Sequence, residues 1–284
     1  METIDIHPSA QIAPQAELGE GVVVGPYAVI GPNVRIGART RIGPLVVIDG
    51  HTTIGEDNRI VGQASIGGPP QDLSYRDEPT LTRIGDRNTI REFVSINRGT
   101  IKGGGLTSIG SDNLIMACCH VAHDCELEDK IVLSNGSGLA GHVKVCHNAN
   151  VSGMVGAVHF VTIGEFAFVG GLSRLSHDVP PFMIVDGDGG IVRNLNVVGL
   201  QRGGVSDEDI RALRDAFKRI YRSGASRQSM VDEMLAEGPT NPQVLKLLDH
   251  LARTAEGLKG RYRESLREEF SRLGVKRIFE GEPI

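Results

Sequence analysis

Aliphatic residues recur at every sixth position of this chain. The series runs unbroken from Ile6 through Ile12, Leu18, Val24, Ile30, Ile36, Ile42, Ile48, Ile54 and Ile60 to Ile66. It resumes at Ile84, Ile90 and Ile96, and again from Ile109 through Ile115, Val121, Leu127, Leu133, Leu139, Val145, Val151, Ala157, Ile163 and Val169 to Leu175. A period of six matches neither the 3.6 of a helix nor the alternation of a flat strand. It predicts a prism of short parallel strands, each about one hexad long, with a tight turn at every corner. Three hexads make one triangular coil, and coils stack at the inter-strand spacing of roughly 4.8 Å. First and fifth positions point inward, while third and fourth round the corner, where Gly, Pro, Asn and Asp collect. Each coil then buries its apolar edge only against its neighbours.

Two excursions break the register, "GGPPQDLSYRDEPTLTR" (Gly67 to Arg83) and "KGGGLTS" (Lys102 to Ser108). Both are too long for a corner and must leave the prism, and loops on a rigid scaffold are where function is often placed. Past Pro180-Pro181 the hexads stop and a Gly-rich connector follows. From Ser206 the pattern turns helical: an acidic capping turn precedes Ile210, Leu213, Phe217, Ile220 and Tyr221 on one face, ending at Gly224. Further helices are predicted over Arg227 to Glu237, Pro242 to Leu258 and Tyr262 to Leu273, and "KRIFEGEPI" reads as a loose tail. The division is a mainly β domain over residues 1–195 and a C-terminal α-helical domain over 196–284.

The repeat accounts for the composition: 37 glycines, no tryptophan and 4% aromatic residues among 284. A net charge of −5 argues against a general nucleic-acid binder, which needs surplus Lys and Arg. No segment approaches the length of an apolar membrane span and no signal sequence opens the chain, so a cytoplasmic protein without an integral membrane segment is expected. Four cysteines at 118, 119, 125 and 146 fit a reducing compartment better than a disulfide framework.

"MACCHVAHDC" (Met116 to Cys125) resembles a zinc knuckle until the register is applied. Cys119 and Cys125 fall at inward fifth places, Cys118 at a corner and Cys146 at a second place, so the thiols do not converge and no metal is expected. The histidines behave differently. His123, His142, His159 and His177 fall at third or fourth places of hexads 18 residues apart, which stacks them on one outer corner, with His120 just before it. Asp124 follows His123 and could orient an imidazole. "LAGHV" offers the backbone N–H of Gly141 beside His142 as an oxyanion donor, because glycine lets a substrate approach closely. A neutral imidazole with such a donor is equipped for general-base acyl transfer, and no Ser or Cys is clearly paired with it as a nucleophile.

The hexads, "QDL.Y" (Gln71 to Tyr75), "GDRN.IRE" (Gly85 to Glu92), "RGT..GGGLT.IGSDNL" (Arg98 to Leu114), "H.AHDC" (His120 to Cys125), "LAGHV" (Leu139 to Val143), "DVPP" (Asp178 to Pro181) and "IYRSG" (Ile220 to Gly224) together resemble a specific family. It is the acyl-carrier-protein-dependent UDP-N-acetylglucosamine O-acyltransferases of lipid A biosynthesis, one branch of the hexapeptide-repeat proteins. The resemblance implies a left-handed parallel β-helix and a homotrimer with sites between adjacent prisms. It implies His123 as general base toward the glucosamine 3-hydroxyl, Gly141 as oxyanion donor, and acyl carrier protein as donor, carrying its own phosphopantetheine so that no further cofactor is needed. Asp72, His120 and His142 match sugar-nucleotide contacts, as do Asn196 and Arg202 from the connector, and Gln71 and His159 are further candidates for binding the substrate. Gly171 matches the position that limits acyl-chain length, where glycine leaves room for a longer chain.

The chain departs from the family pattern at four places. Ser74 stands where a Lys is usual, Val158 and His159 where His and Gln are usual, Val198 where an acidic residue is common, and Gly203 where a second Arg is usual. Two potential phosphate partners are thereby lost, which predicts an altered or weakened nucleotide preference, for a different sugar or a 3-amino analogue. Three rivals stay open: a zinc enzyme using His142 and His147, a CoA-dependent acyl- or acetyltransferase on the same fold, and a trimeric binding relative without turnover.

Overall fold

The computed structural model describes residues 3–238 and 241–280. Their strands form three sheets of 11, 9 and 8 strands, the three faces of a left-handed parallel β-helix. Successive hexads fall on successive faces, so a strand pairs with the one a full coil later. Asp5 aligns with Val23 and Ile6 with Val24, and the same register persists up the stack. It survives both excursions: Arg59 aligns with Thr89 across the first, and Thr89 with Leu114 across the second. The excursions leave between strands Ser65–Gly68 and Leu81–Ile84, and between Ser95–Asn97 and Leu106–Ile109.

Inside the prism the first-place residues Ile30, Ile48, Ile60, Ile90, Ile96 and Ile115 are buried, as are fifth-place Ala28, Val34, Val46, Cys119 and Cys125. Each large aliphatic side chain so removed from water contributes roughly 1.5–3 kcal/mol. One corner breaks the apolar rule. Its fifth places are Thr40, Asn58, Asn88 and Asn113, all buried and joined in a column. Thr40 Oγ1 accepts from Asn58 N (3.1 Å), Asn58 Oδ1 from Asn88 N (2.9 Å), Asn88 Oδ1 from Asn113 N (2.9 Å), and Asn113 Oδ1 from Ile131 N (2.7 Å). Each amide caps a backbone N–H of the next coil.

The corner turns differ from expectation. The fourth place takes left-handed backbone at almost every coil, yet it holds Tyr27, Leu45, Phe93, Met154, Phe160 and Leu172 more often than glycine. A side chain there costs roughly 1–2 kcal/mol. Stacking offsets the cost, because the strained residue's N–H bonds the coil below: Leu45 N to Pro26 O (3.0 Å), His142 N to His123 O (3.0 Å), Met154 N to Asn135 O (2.9 Å).

An antiparallel hairpin of Met183–Asp186 and Ile191–Leu195 closes the end of the prism over buried Phe182. The helices follow: α1 (Val197–Arg202), α2 (Asp207–Arg222), α3 (Arg227–Ala236), α4 (Pro242–Glu256), α5 (Tyr262–Ser265) and α6 (Arg267–Val275). Ser206 caps α2 by accepting from Asp209 N, and Ile210, Leu213, Phe217 and Ile220 form its buried face. Two expectations fail here. The single helix expected over 262–273 is broken at Leu266 into α5 and α6. Residues 276–280, read as part of a loose tail, form a helical turn docked on the glycine run. Arg277 Nη1 donates to Gly104 O (2.9 Å), and a Cβ on Gly274 of α6 would stand 2.0 Å from Ile101 O. Residues 281–284 of that tail lie outside the described residues. No described helix is long and apolar enough to cross a membrane.

The asparagine column gives a stability test. Asn88→Ala leaves the buried Asn113 N–H without its acceptor, a loss of about 1–3 kcal/mol. Calorimetric scanning is expected to show unfolding several degrees below wild type, and an unchanged midpoint would deny the column its role.

Candidate active site

The strands His120–Val121, Gly138–Leu139 and Gly156–Ala157 pair in register, so the residues that follow them stack on one corner. The His123 and His142 rings meet edge-on with centroids 5.2 Å apart, and His142 lies flat on Phe160 at 4.2 Å. These residues, Gly141 and exposed His159 line a cavity of about 420 Å³. His177 continues the ladder but turns to Ser176 and Gly189 beneath Gly260, outside that cavity.

His123 Nδ1 is 2.8 Å from Asp124 Oδ2. The Asp124 carboxylate is fully buried, and it also accepts from Thr100 N (2.7 Å) and Thr100 Oγ1 (2.6 Å), while Asp124 N donates to Thr107 Oγ1 (2.7 Å). A buried carboxylate needs this full set of donors. Because it accepts at His123 Nδ1, that nitrogen carries the proton and Nε2 keeps its lone pair. Two glycines permit the geometry. A Cβ on Gly103, in the glycine run, would lie 1.9 Å from Asp124 Cγ. One on Gly141 would lie 2.4 Å from His123 Cε1 and 2.7 Å from Nε2. The Gly141 N–H donates to no backbone acceptor among the described residues.

Burial governs the neighbouring imidazoles. It brings His142 down to about 4, helped by His123, Arg263 and Arg267 and opposed by Asp124, whose Oδ2 is 3.9 Å from His142 Nε2. His120, bonded through Nδ1 to Ser95 Oγ (2.7 Å), is lowered by burial and then by His123. The first excursion is tied down by Arg98, which donates to Gly67 O and twice to Tyr75 Oη. It carries Asp72, whose carboxyl is held below its ordinary range by the Ser74 N–H, with Lys102 and His123 adding to the effect. Gln71 is exposed on the same loop.

Of the expected residues, His123, Gly141, His142 and His159 line this cavity, Gln71, Asp72, His120 and Asp124 do not, and Gly171, Asn196 and Arg202 are set on other parts of the chain. Gly171 is exposed at a different corner, after strand Phe168–Val169 on the eleven-stranded face. Asn196 is buried as the N-cap of α1, with its side chain bonded to Phe166 O and Gly199 N. Arg202 is exposed at the end of α1. The absent second arginine has a steric reason: a Cβ on Gly203 would lie 2.2 Å from the Phe166 ring. Val158 packs against the core and Val198 is exposed.

Sequence reasoning missed several contributors. Phe160 follows His142 by one coil and was within reach of the register. Thr100 and Thr107 carried no such signal. Nor did Arg263, which donates to His142 O (3.2 Å) and pairs with Glu126 (3.0 Å), or Arg267, which lies over the Phe160 ring at 4.7 Å.

One group among the described residues, His123, Asp124 and His142, brings ligand-type atoms within 4.8 Å of one another. Its Asp124 oxygens already accept three hydrogen bonds, and His142 is stacked on Phe160. Within one chain His142 and His147 lie on different faces: His147 follows strand Lys144–Val145 and pairs with Glu128 (3.2 Å).

A family model described as UDP-N-acetylglucosamine O-acyltransferase, domain 2, matches residues 178–259. The acyl-[acyl-carrier-protein]--UDP-N-acetylglucosamine O-acyltransferase of Verminephrobacter eiseniae is 49% identical over 239 residues, 84% of this chain and 91% of that protein. Among solved structures, the UDP-N-acetylglucosamine acyltransferase of Francisella novicida superposes with a TM-score of 0.84 at 34% identity, covering 87% of this chain and 91% of that one. The UDP-N-acetylglucosamine O-acyltransferase of Moraxella catarrhalis gives 0.82 at 38% identity, covering 86% and 95%.

The buried imidazole gives a pH prediction. His142 is expected to remain neutral in 1H–15N spectra at pH 5, whereas a midpoint near 6.5 would contradict the packing on Phe160. Between about pH 6.5 and 4 the unfolded chain binds a proton here that the folded chain does not. The contribution of His142 to stability is therefore complete above that window and is lost as pH falls through it.

Proposed function

The chain belongs to the acyl-[acyl-carrier-protein]--UDP-N-acetylglucosamine O-acyltransferase family, and we propose that it transfers a 3-hydroxyacyl chain from acyl carrier protein to the 3-hydroxyl of UDP-N-acetylglucosamine. This is the first step of lipid A biosynthesis, and the proposed setting is the cytoplasm. The observation that carries the reading is the His123–Asp124 pair facing Gly141.

In this mechanism His123 Nε2 removes the proton of the sugar hydroxyl as its oxygen attacks the thioester carbonyl carbon. The carbonyl oxygen becomes an oxyanion that accepts from the Gly141 N–H. Collapse breaks the C–S bond, and the phosphopantetheine thiolate takes the proton from His123. Asp124 holds Nδ1–H throughout and stabilises the imidazolium. With burial bringing His142 down to about 4, that imidazole is a weak base and stays a neutral hydrogen-bonding group at neutral pH. Asp72, His120 and His159 are assigned to the acceptor. The donor brings its own phosphopantetheine, and the step uses no further cofactor.

The assembly proposed is a homotrimer. The corner opposite the eight-stranded face carries an exposed apolar ridge, with Tyr27, Phe93, Met154 (66% exposed) and Leu172 (76%) at its left-handed places. Leu73 on the first excursion is 99% exposed. Large apolar side chains exposed along one corner support burial against another copy. Gly171 lies on that ridge, so a neighbouring prism would bring it, with Asn196 and Arg202, toward the His123 cavity.

Acyl transfer from 3-hydroxyacyl carrier proteins of several lengths, and from acyl-CoA, is to be measured with UDP-N-acetylglucosamine and its 3-amino analogue. His123→Ala is expected to lower kcat by roughly 10²–10⁴. Gly141→Ala is expected to do comparable damage with the trimer intact, because its methyl group occupies the place of the imidazole. Undiminished turnover in His123→Ala would overturn the reading.

A further inference from the structure

Lys102 opens the glycine run and reaches the mouth of the His123 cavity. Its Nζ donates to Ser74 Oγ at 2.7 Å, and Ser74 Oγ in turn donates to Asp72 Oδ1 at 2.8 Å. Ser74 N donates to the same oxygen at 2.8 Å, so the hydroxyl that receives the lysine is fixed from two sides. Other cations around the site are committed. Arg267 is paired with Glu264 (2.7 Å) and lies over Phe160, and Arg263 is paired with Glu126. Lys144 sits between Glu126 (2.7 Å) and Glu128 (2.8 Å). Lys102 is exposed and forms no ion pair among the described residues. An ammonium has three donors. One of them is directed to Ser74, and the others remain for a ligand beside His123.

The position of this ammonium bears on the departure at residue 74. A lysine is usual there, and its loss was expected to weaken the hold on the nucleotide. The structure instead brings a lysine from the second excursion onto the residue that replaced it. A serine is short enough to leave that space and polar enough to anchor the visitor.

We propose that Lys102 is a specificity-determining residue for the acceptor, binding the diphosphate of the UDP-sugar, with Ser74 positioning it. The inference rests on the acceptor reading above. A charge-assisted contact from a restrained ammonium to a diphosphate adds affinity for the phosphates and none for the nucleoside. It also removes the reason to expect a changed nucleotide preference from Ser74 alone.

Calorimetric binding of UDP-N-acetylglucosamine, UDP and uridine to wild type, Lys102→Gln, Ser74→Ala and Ser74→Lys/Lys102→Gln tests it without requiring turnover. Lys102→Gln is expected to weaken UDP and UDP-N-acetylglucosamine about tenfold and to leave uridine unchanged. Ser74→Ala should shift the same ligands in the same direction by less. The double variant, which returns the lysine to the first excursion, should recover most of the loss. Unchanged UDP affinity in Lys102→Gln, an equal loss for uridine, a double variant as weak as Lys102→Gln, or a wild type that binds no uridine nucleotide would each overturn the inference. The acyl-transfer assay separates the two readings, since absent transfer alongside this binding pattern would sink the reaction and spare the diphosphate contact.

Discussion

Coil-on-coil hydrogen bonding is the constraint from which the rest of this molecule follows. Each hexad is bonded only to those one coil above and below, so a side chain's height on the prism is set by counting residues. That rigidity puts His123, Gly141, His142 and His159 on one corner although they are spread over almost forty positions of sequence. It also tolerates bulky residues in left-handed turns. A strained Phe160 is held because its N–H bonds Gly141 O at 3.2 Å, and its ring is thereby available to bury His142.

The ladder alone would place histidines but would not activate one. The difference lies in Asp124, a carboxylate at a corner that the bare repeat would leave in solvent. The second excursion covers it, supplying Thr100 as a two-point donor and Gly103, where a Cβ would collide with the carboxylate. Covering has a cost, because a charge taken from water must be met by fixed dipoles. Three donors meet it, and one of them is His123 itself. The loop that looks like an interruption of the fold is therefore what converts a surface histidine into an oriented one.

How much of this could be read from the sequence depended on whether the information was periodic. The prism, the inward Cys119 and Cys125 and the stacking of the histidines all follow from counting sixes, because the physics is nearest-neighbour. The Asn58, Asn88 and Asn113 column leaves no mark in the aliphatic sixes, because an amide takes an inward fifth place only where its oxygen and nitrogen find partners on the next coil. Contacts between distant segments left no such trace. Nothing in "KRIFE" foretells that it docks on Gly104 and Gly105, or in "YRES" that Arg263 reaches His142 O. Those contacts depend on where the C-terminal helices turn back, which is decided by tertiary packing at Asp178, whose carboxylate accepts from both Thr162 N and Tyr262 N.

Asp178 also shows how the two parts of the chain are locked together. Its burial raises its carboxyl to about 6 even though two backbone N–H groups and the nearby Arg263 and Arg261 favour the charge. The same residue thus joins the last coil to the start of α5, from which Arg263 reaches the histidine corner, while Arg267 reaches it from α6. Lys246 to Glu165 and Arg261 to Ser176 O add further ties along this seam. With α6 packed against Ile101 through Gly274, the far end of the chain braces the very excursion that buries Asp124. The C-terminal helices consequently belong to the electrostatics of the site: a displaced α6 would loosen the glycine run, let water reach Asp124, and weaken the carboxylate's hold on His123.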